Sequence, residues 1–309
     1  MKINMKYITF ILIAILSFSV VVNAAGDGKY KKVKKENFKA GDAYRMNINN
    51  FNLPLNKSGV LGDVLLNGSS GGTLDGKIFL FSGGFFMSGL SEGHKWANAV
   101  ASASRIQDYN PGTYAIPSTD NRVQLYVVSA KDGDFAPSWN DWKDAVALGA
   151  NFYDGDGDGV YNPVDKNNNH KWDPNEDRPD LIGDETVWCV YSDNVDPALR
   201  SFNDVDPQGI EIRQTVFGFN SKGVTGNMVF VRYELLNTGK YYNSIDSVYF
   251  SVWADPDLGD PYSDLVGCDT TLNAGYVYNS GPDAIFGKNP PCFLIDFFQG
   301  PIVYVPGET

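Results

Sequence analysis

The stretch "YDGDGDGVYNPVDKNNNHKWDPNED", residues 153–177, places acidic and amide side chains at alternate positions and is too polar to pack a core. That pattern is oxygen-donor chemistry for a hard cation. Counted from Asp154 as position 1, Asp156 and Asp158 stand at 3 and 5, Gly159 at 6, the Val160 carbonyl at 7, Asn162 at 9 and Asp165 at 12. These are the ligand positions of an EF-hand-type calcium loop, with Asp in place of the terminal bidentate Glu. The alternation matters because the backbone must curl around the ion, which turns every second side chain inward. Glycine supplies the positive φ of the sharp bend. Three carboxylates this close repel one another without a cation and become favourable with one.

A second loop begins where the first ends. Asp165, Asn167, Asn169, the Lys171 carbonyl, Asp173 and Glu176 fall at positions 1, 3, 5, 7, 9 and 12. Here His170 replaces the glycine of the bend and two amides replace carboxylates, so weaker Ca2+ binding and some backbone strain are expected. The shared Asp165 resembles the overlapping loops of thrombospondin type 3 repeats. Pro163 and Pro174 interrupt the segments that follow the loops, so a structural clamp is expected rather than a helix–loop–helix sensor. A further acidic run, Asp255, Asp257, Asp260, Asp264 and Asp269, reads as another loop-borne cation site or as aspartates capping their own turns.

Other constellations are poorer. "GLSEG" around Ser91 has the form of a nucleophile elbow, but a triad needs a downstream histidine: His94, three residues on, is too close in sequence, and His170 lies inside the acidic segment. Two histidines in the whole chain also supply zinc catalysis badly. No catalytic residue is assigned and the chain is not expected to be an enzyme. None of the three cysteines, Cys189, Cys268 and Cys292, forms a CxxC pair. Cys189 in "TVWCVY" reads as a buried small hydrophobe. Chain proximity makes Cys268 with Cys292 the least strained disulfide, although sequence does not fix the pairing.

The elements that must position the acidic loops are mostly strands. "GKIFLFSGGFFMSG" (76–89) is strand-like, with Gly-Gly predicting a turn or bulge, and "RVQLYVVSA" (122–130) is another strand. "ETVWCVYS", "IEIRQTVFGFN", "NMVFVRYELLN", "DSVYFSVWAD", "AGYVYNSG" and "CFLIDFFQGPIVYVPGET" continue the pattern, rich in β-branched and aromatic residues. One helix is predicted over 138–148, from "PSWNDWKDAVALGA". Ser138 is read as its cap, Asp141 completes a capping box, and Gly149 is its stop. Residues 25–70 are polar and Asn-rich, with weak periodicity.

The chain has 309 residues and a formal net charge of −12. Lys2 and Lys6, the apolar run at 7–22 and the "VNA" before Ala25 read as a cleaved secretory leader over 1–24. No second run of spanning length follows, so no transmembrane segment is expected after cleavage. The acidity argues against nucleic acid as a partner, because its backbone would be repelled. One basic patch, residues 29–39, reads as a solvated terminus.

From "WNDWKDAVALGANFYDGDGDGVYNPVD" through "WDPNEDRPDLIGDETVWCVYSD", "VDPQGIEIRQTVFGFN" and "VYFSVWADPDLGD…DLVGCDTTLNAGYVYN", the chain resembles the amino-terminal region of large secreted proteins of the Bacteroidota, Ignavibacteria and Chlorobi lineage. The resemblance spans roughly residues 45–309. Those proteins usually carry fibronectin-like modules and a type IX secretion sorting domain at the far end. The resemblance therefore implies an extracellular or bacterial cell-surface location and a chain that is the front part of something longer.

The expectation is a mainly β protein: an antiparallel β-sandwich with one short helix and an inserted calcium-loop segment. The parts are a leader (1–24), a β-rich part (25–136), the helix with the loops (137–186) and a sandwich part (187–309). The expected function is a calcium-binding structural, adhesive or fibre-forming surface protein, with cell-surface glycans or further copies as partners. The alternative is a carbohydrate-binding module or polysaccharide-degrading enzyme, in which Trp172 and Tyr262 stack on sugars.

Overall fold

A computed structural model describes residues 7–17, 41–100, 108–201, 205–300 and 302–303. The basic patch at 29–39 and the cleavage region before Ala25 lie outside the described residues. In chain order the first strands are β1 (Tyr7–Ser17), β2 (Ala43–Met46), β3 (Phe51–Asn56), β4 (Gly72–Leu74), β5 (Lys77–Leu80), β6 (Ser82–Ser91), β7 (His94–Ala99), β8 (Asn110–Pro111) and β9 (Tyr126–Ser129). Helix α1 (Pro137–Ala147) follows, then β10 (Phe152–Tyr153) and β11 (Arg178–Pro179), which flank the acidic segment. The remaining strands are β12 (Glu185–Ser192), β13 (Ile210–Gly218), β14 (Val229–Asn237), β15 (Asp246–Asp255), β16 (Asp264–Asp269), β17 (Ala274–Asn279), β18 (Phe293–Phe297) and β19 (Ile302–Val303).

The protein is mainly β, built of antiparallel sheets with a single α-helix among the described residues. The largest sheet runs β16-β17-β18-β1-β14-β13-β12-β8, with β9 beside β8 on the edge of β12 and β19 beside β18 on β1. Residues 7–17 of the apolar run that reads as a leader stand inside this sheet as β1. A second layer holds β15-β6-β7 and β2-β3-β4-β5, and Leu61 links its two parts by pairing with Leu55 and Gly83.

Period-two alternation explains the packing. Along β14, Val229, Val231, Tyr233 and Leu235 are buried while the intervening residues are half-exposed. One apolar cluster joins both layers, with Phe51, Phe79 and Phe85 of the second layer meeting Tyr191, Tyr233 and Phe293 of the large sheet. Phe85 contacts Tyr233 edge-on at 5.1 Å and Phe79 meets Phe293 at 5.4 Å. The core therefore draws on chain segments from both sides of the helix-and-loop insertion.

Strand β12 is buried along its whole length. Val187, Cys189 and Tyr191 face the sandwich core, whereas Trp188 and Val190 face a second cluster with Tyr126, Val128, Trp142, Ala145, Leu148 and Tyr161. Helix α1 and the first residues of the acidic segment thus form an outer layer on the large sheet. This face positions the candidate site.

Three expectations need correction. Ser138 does not cap α1: the N-cap is Ala136 without a side-chain bond, and Pro137 opens the helix. Proline at the first position has no N–H to satisfy and brings a helical φ, so a side-chain cap is dispensable. Gly83 and Gly84 make no turn. They lie within β6, where Gly84 lets the Val100 carbonyl approach to within 2.8 Å of the place a Cβ would take. Cys268 and Cys292 are free thiols. Strand β17 stands between β16 and β18, about 9.5 Å apart by sheet spacing and beyond disulfide reach. Within residues 41–70, read as polar with weak periodicity, Phe51, Leu53, Leu55 and Leu61 are all buried. Cys189 is buried as expected, and burial pushes its thiol up to about 12.

Trp142 is 1 % exposed and its Nε1 donates to the Asn151 carbonyl at 3.0 Å. Trp142→Ala should cost about 3–5 kcal/mol, the range for emptying a large aromatic site. Urea unfolding followed by circular dichroism measures the lowered midpoint.

Candidate metal centre

The antiparallel pair β10–β11 closes the ends of the acidic segment, with Phe152 opposite Pro179 and Tyr153 opposite Arg178. Between them the chain curls twice. In the first curl Asp154 accepts from the N–H of Gly157 at 2.8 Å and of Gly159 at 2.9 Å. Asp156 accepts from Asp158 N at 3.3 Å and Asp158 from Val160 N at 2.7 Å. In the second, Asp165 accepts from the N–H of Asn169 and His170, Asn167 from Asn169 N, and Asn169 from Lys171 N. Each side chain bonds forward to the backbone, the Asx-turn chemistry that makes Asp and Asn strong turn formers.

The two curls share their backbone signs as well. Gly157 and Gly159 have φ of 75° and 75°, and their counterparts Asn168 and His170 have φ of 58° and 59°. His170 therefore occupies the left-handed region that the sequence expected glycine to fill, with the strain that entails.

The carboxylate oxygens of Asp154, Asp156 and Asp158 come within 4.8 Å of one another. Among the described residues this is the one trio of acidic, His or Cys side chains that closes so far; Asp255, Asp257, Asp260, Asp264 and Asp269 do not. Several of the latter cap turns instead. Asp260 accepts from Tyr262 N and Asp269 from Thr271 N, while Asp264 accepts from Leu258 N. Burial, with the charges of Asp255 and Asp264, raises the Asp257 carboxyl.

The other residues read as ligands take varied places. Asn162 turns its Oδ1 to Lys143 Nζ at 3.3 Å, and its N–H donates to Asp177. Asp173 receives the amide NH2 groups of Asn167 and Asn169 at 2.8 and 2.9 Å. Glu176 is fully buried and accepts from the N–H of Lys166 and Asp173. The second curl is thus satisfied by its own amides, whereas the first concentrates unshared negative charge. Among the described residues one cation answers it: Lys166 Nζ lies 2.7 Å from Asp156 Oδ2. That ammonium, aided by the Asp158 N–H, holds the Asp156 carboxyl below the usual range. For Asp165 burial acts upward, but the N–H groups of His170, Asn169 and Asn168 outweigh it and lower the carboxyl.

Three supporting residues escaped the sequence reading. Asp177, 2 % exposed, ties both limbs of the first curl by accepting from Gly155 N at 3.0 Å and Asn162 N at 2.7 Å. Tyr161 is buried against Phe152 and donates to the Trp139 carbonyl, which pins the loop on α1. Gly155 permits contact with the Glu176 backbone, since a Cβ there would lie 2.3 Å from the Glu176 carbonyl oxygen. The doubling of acids at 176–177 was the visible signal for Asp177. Trp172 is committed to the segment, with Nε1 on the Glu176 carbonyl, Arg178 over its face at 4.3 Å and Tyr153 at its edge.

The hydroxyl of Ser91 is buried and donates to Gln208 Oε1 at 2.6 Å. His94 lies across the hairpin turn, exposed.

Asp177→Ala removes the charged acceptor of two part-buried N–H groups, Gly155 and Asn162, and should cost about 1–3 kcal/mol. Amide exchange across residues 154–162 should quicken accordingly. For Asp156 and Asp165 the folded carboxyl titrates below its unfolded value. Their stabilisation is complete above the ordinary aspartate range and is lost as pH falls below about 4. Amide exchange of the segment against pH, without added cation, checks that sign. Comparison of the chain with protein-family models, curated proteins and solved structures found no match.

Proposed function

We propose that this chain is an exported surface protein with a structural or adhesive role, stabilised by Ca2+ in the first acidic curl. One observation carries the reading: three carboxylates drawn within 4.8 Å of one another on a loop already bent by positive-φ glycines. The donor set fits the ion. It is all oxygen and strongly negative, and it holds no thiolate or imidazole in the first curl, which favours a hard cation. Asp154, Asp156 and Asp158 would hold Ca2+ with the Val160 carbonyl, Asn162 and Asp165. Bound there, Ca2+ supplies charge neutralisation and a cross-link between the limbs of the curl. Lys166 is the resident countercharge that the ion displaces from Asp156.

The second set, Asp165, Asn167, Asn169, the Lys171 carbonyl, Asp173 and Glu176, is the weaker site. Its amides must give up their bonds to Asp173 before they turn oxygens inward. The segment connects α1 to β12, so ordering it secures the outer layer to the large sheet. An affinity of roughly 0.1–1 mM, usual for extracellular modules, suits such a clamp. The leader, the acidic composition and the resemblance to secreted surface proteins support the location. Among the described residues no helix is long and apolar enough to cross a membrane.

A second reading, carbohydrate binding, is favoured by Tyr262. It is 98 % exposed on a short 3-10 turn beside Asp260. Binding to one defined sugar on a glycan array, lost in Tyr262→Ala, would support it over the structural role.

At about 100 times its dissociation constant, Ca2+ adds about 2.7 kcal/mol. A chain of this size should then melt about 5–10 °C higher than in chelator. Asp156→Ala should abolish most of that difference, and Lys166→Met should shift the calcium midpoint to lower concentration. Equal melting curves with and without chelator would refute the proposal.

A further inference from the structure

Strand β12 ends at Ser192, and the chain that leaves it is organised by one buried acid outside the calcium segment. Asp193 is fully buried, and its carboxylate accepts from Gln208 N at 2.6 Å, Ile210 N at 2.8 Å and the Tyr114 hydroxyl at 2.6 Å. Arg200, also buried, donates to the Asp193 carbonyl at 2.8 Å and to Asn98 of β7. Ser91, the last residue of β6, donates to Gln208 Oε1 at 2.6 Å. Thr238, just after β14, donates through its hydroxyl to the Gly209 carbonyl at 2.7 Å. A charge taken out of water is costly unless its partners are complete, and here they are. The result is a fixed pair of limbs at the surface, 194–197 and 205–208, with Tyr114 beside them.

Two clefts open along these limbs. The first, about 410 Å³, lies between the β6–β7 turn and residues 205–208, with Glu92, Asp206 and Tyr242 on its lining. The second, about 430 Å³, is lined by Asp196, Tyr241 and again by Asp206 and Tyr242. Each falls in the range of about 300–1,000 Å³ usual for small-ligand sites. The shared pair joins them into one groove. Its lining mixes exposed ring faces with carboxylates. Tyr241 is 48 % exposed and is braced edge-on by Tyr114 at 6.0 Å. Tyr242 is half-buried, and its carbonyl accepts from Asn237 at 3.1 Å. Trp96 lines the first cleft, is 5 % exposed, and has no acceptor for its Nε1 among the described residues. Glu92 stands at φ 51° beside Gly93 at 84°, turn positions that Asn-Gly fills at lower cost. A carboxylate is thus held at the groove against the backbone's preference.

A sugar ring matches both halves of this lining. Its C–H face packs on an aromatic ring, and its neighbouring hydroxyls donate to carboxylates and accept from N–H groups. Resting on the carbohydrate reading but not on Tyr262 or Ca2+, we propose that this groove binds a neutral oligosaccharide, with at least one unit in each cleft. The carboxylates of Glu92, Asp196 and Asp206, set against the Lys95 ammonium, disfavour uronate or sulfated chains.

The test titrates the full chain with the neutral hexasaccharides of β-glucose, xylose, mannose and N-acetylglucosamine, and with hexagalacturonate as the acidic probe. At least one neutral chain should bind one-to-one and slow amide exchange at 91–96 and 205–209. Tyr241→Ala and Asp206→Asn should each weaken that binding at least about tenfold. Tyr249→Ala, which removes an exposed ring on β15, should not change it. Melting curves check that each variant is folded; should Tyr241→Ala lower the midpoint, the isosteric Asp206→Asn carries the comparison. No binding of any neutral chain at millimolar concentration overturns the proposal, as does binding that Asp206→Asn leaves intact. Preference for hexagalacturonate overturns it too, because it reverses the charge argument. Binding lost in Tyr262→Ala and kept in Tyr241→Ala overturns the groove and leaves the carbohydrate reading standing at Tyr262.

Discussion

Like charge held at close quarters is the constraint around which the outer layer of this protein is arranged. Asp154, Asp156 and Asp158 could lower their mutual repulsion by moving apart. The N–H groups of Gly157, Gly159, Asp158 and Val160 hold them instead. Each of those bonds is a modest local gain. Together they spend the backbone's donors on keeping the carboxylates convergent, with Lys166 as a single countercharge.

The anchoring of that curl depends on a strand buried on both faces. Most antiparallel strands in a sandwich keep one face for solvent. Strand β12 gives one face to the sandwich core and the other to α1 and Tyr161. The acidic segment leaves this outer cluster through β10 and returns through β11, so its ends are fixed while its middle is exposed. Order imposed on the middle is therefore transmitted to the helix and the sheet rather than lost at frayed ends.

Much of this was legible in the residues. "ETVWCVYS" is β12 to the residue, because a run of β-branched and aromatic residues bounded by polar ones has little alternative. The spacing of aspartates and glycines located the first curl and foretold the positive φ at Gly159. Tertiary facts were less visible. The role of Asp177 depends on the return limb of the loop lying beside the first, which no local pattern encodes. Pro137 overrode the capping signal of Ser138 by making a cap unnecessary. Glycines 83 and 84 resembled a turn because sequence does not show the Trp253 indole, whose Nε1 donates to the Val100 carbonyl close beside them. The cysteines close in sequence are separated by β17, and strand order is a property of the whole sheet. Calcium binding, export and adhesion are inferences from chemistry and resemblance, and calcium binding stands or falls on the first curl.

The most direct measurement is a crystal of the chain grown with calcium, with anomalous scattering recorded at a wavelength where the ion is visible. The account expects one strong anomalous peak with oxygens of Asp154, Asp156 and Asp158 at about 2.3–2.6 Å, and Lys166 withdrawn from Asp156. Carboxylates turned outward, with no anomalous density between them at millimolar calcium, would contradict it.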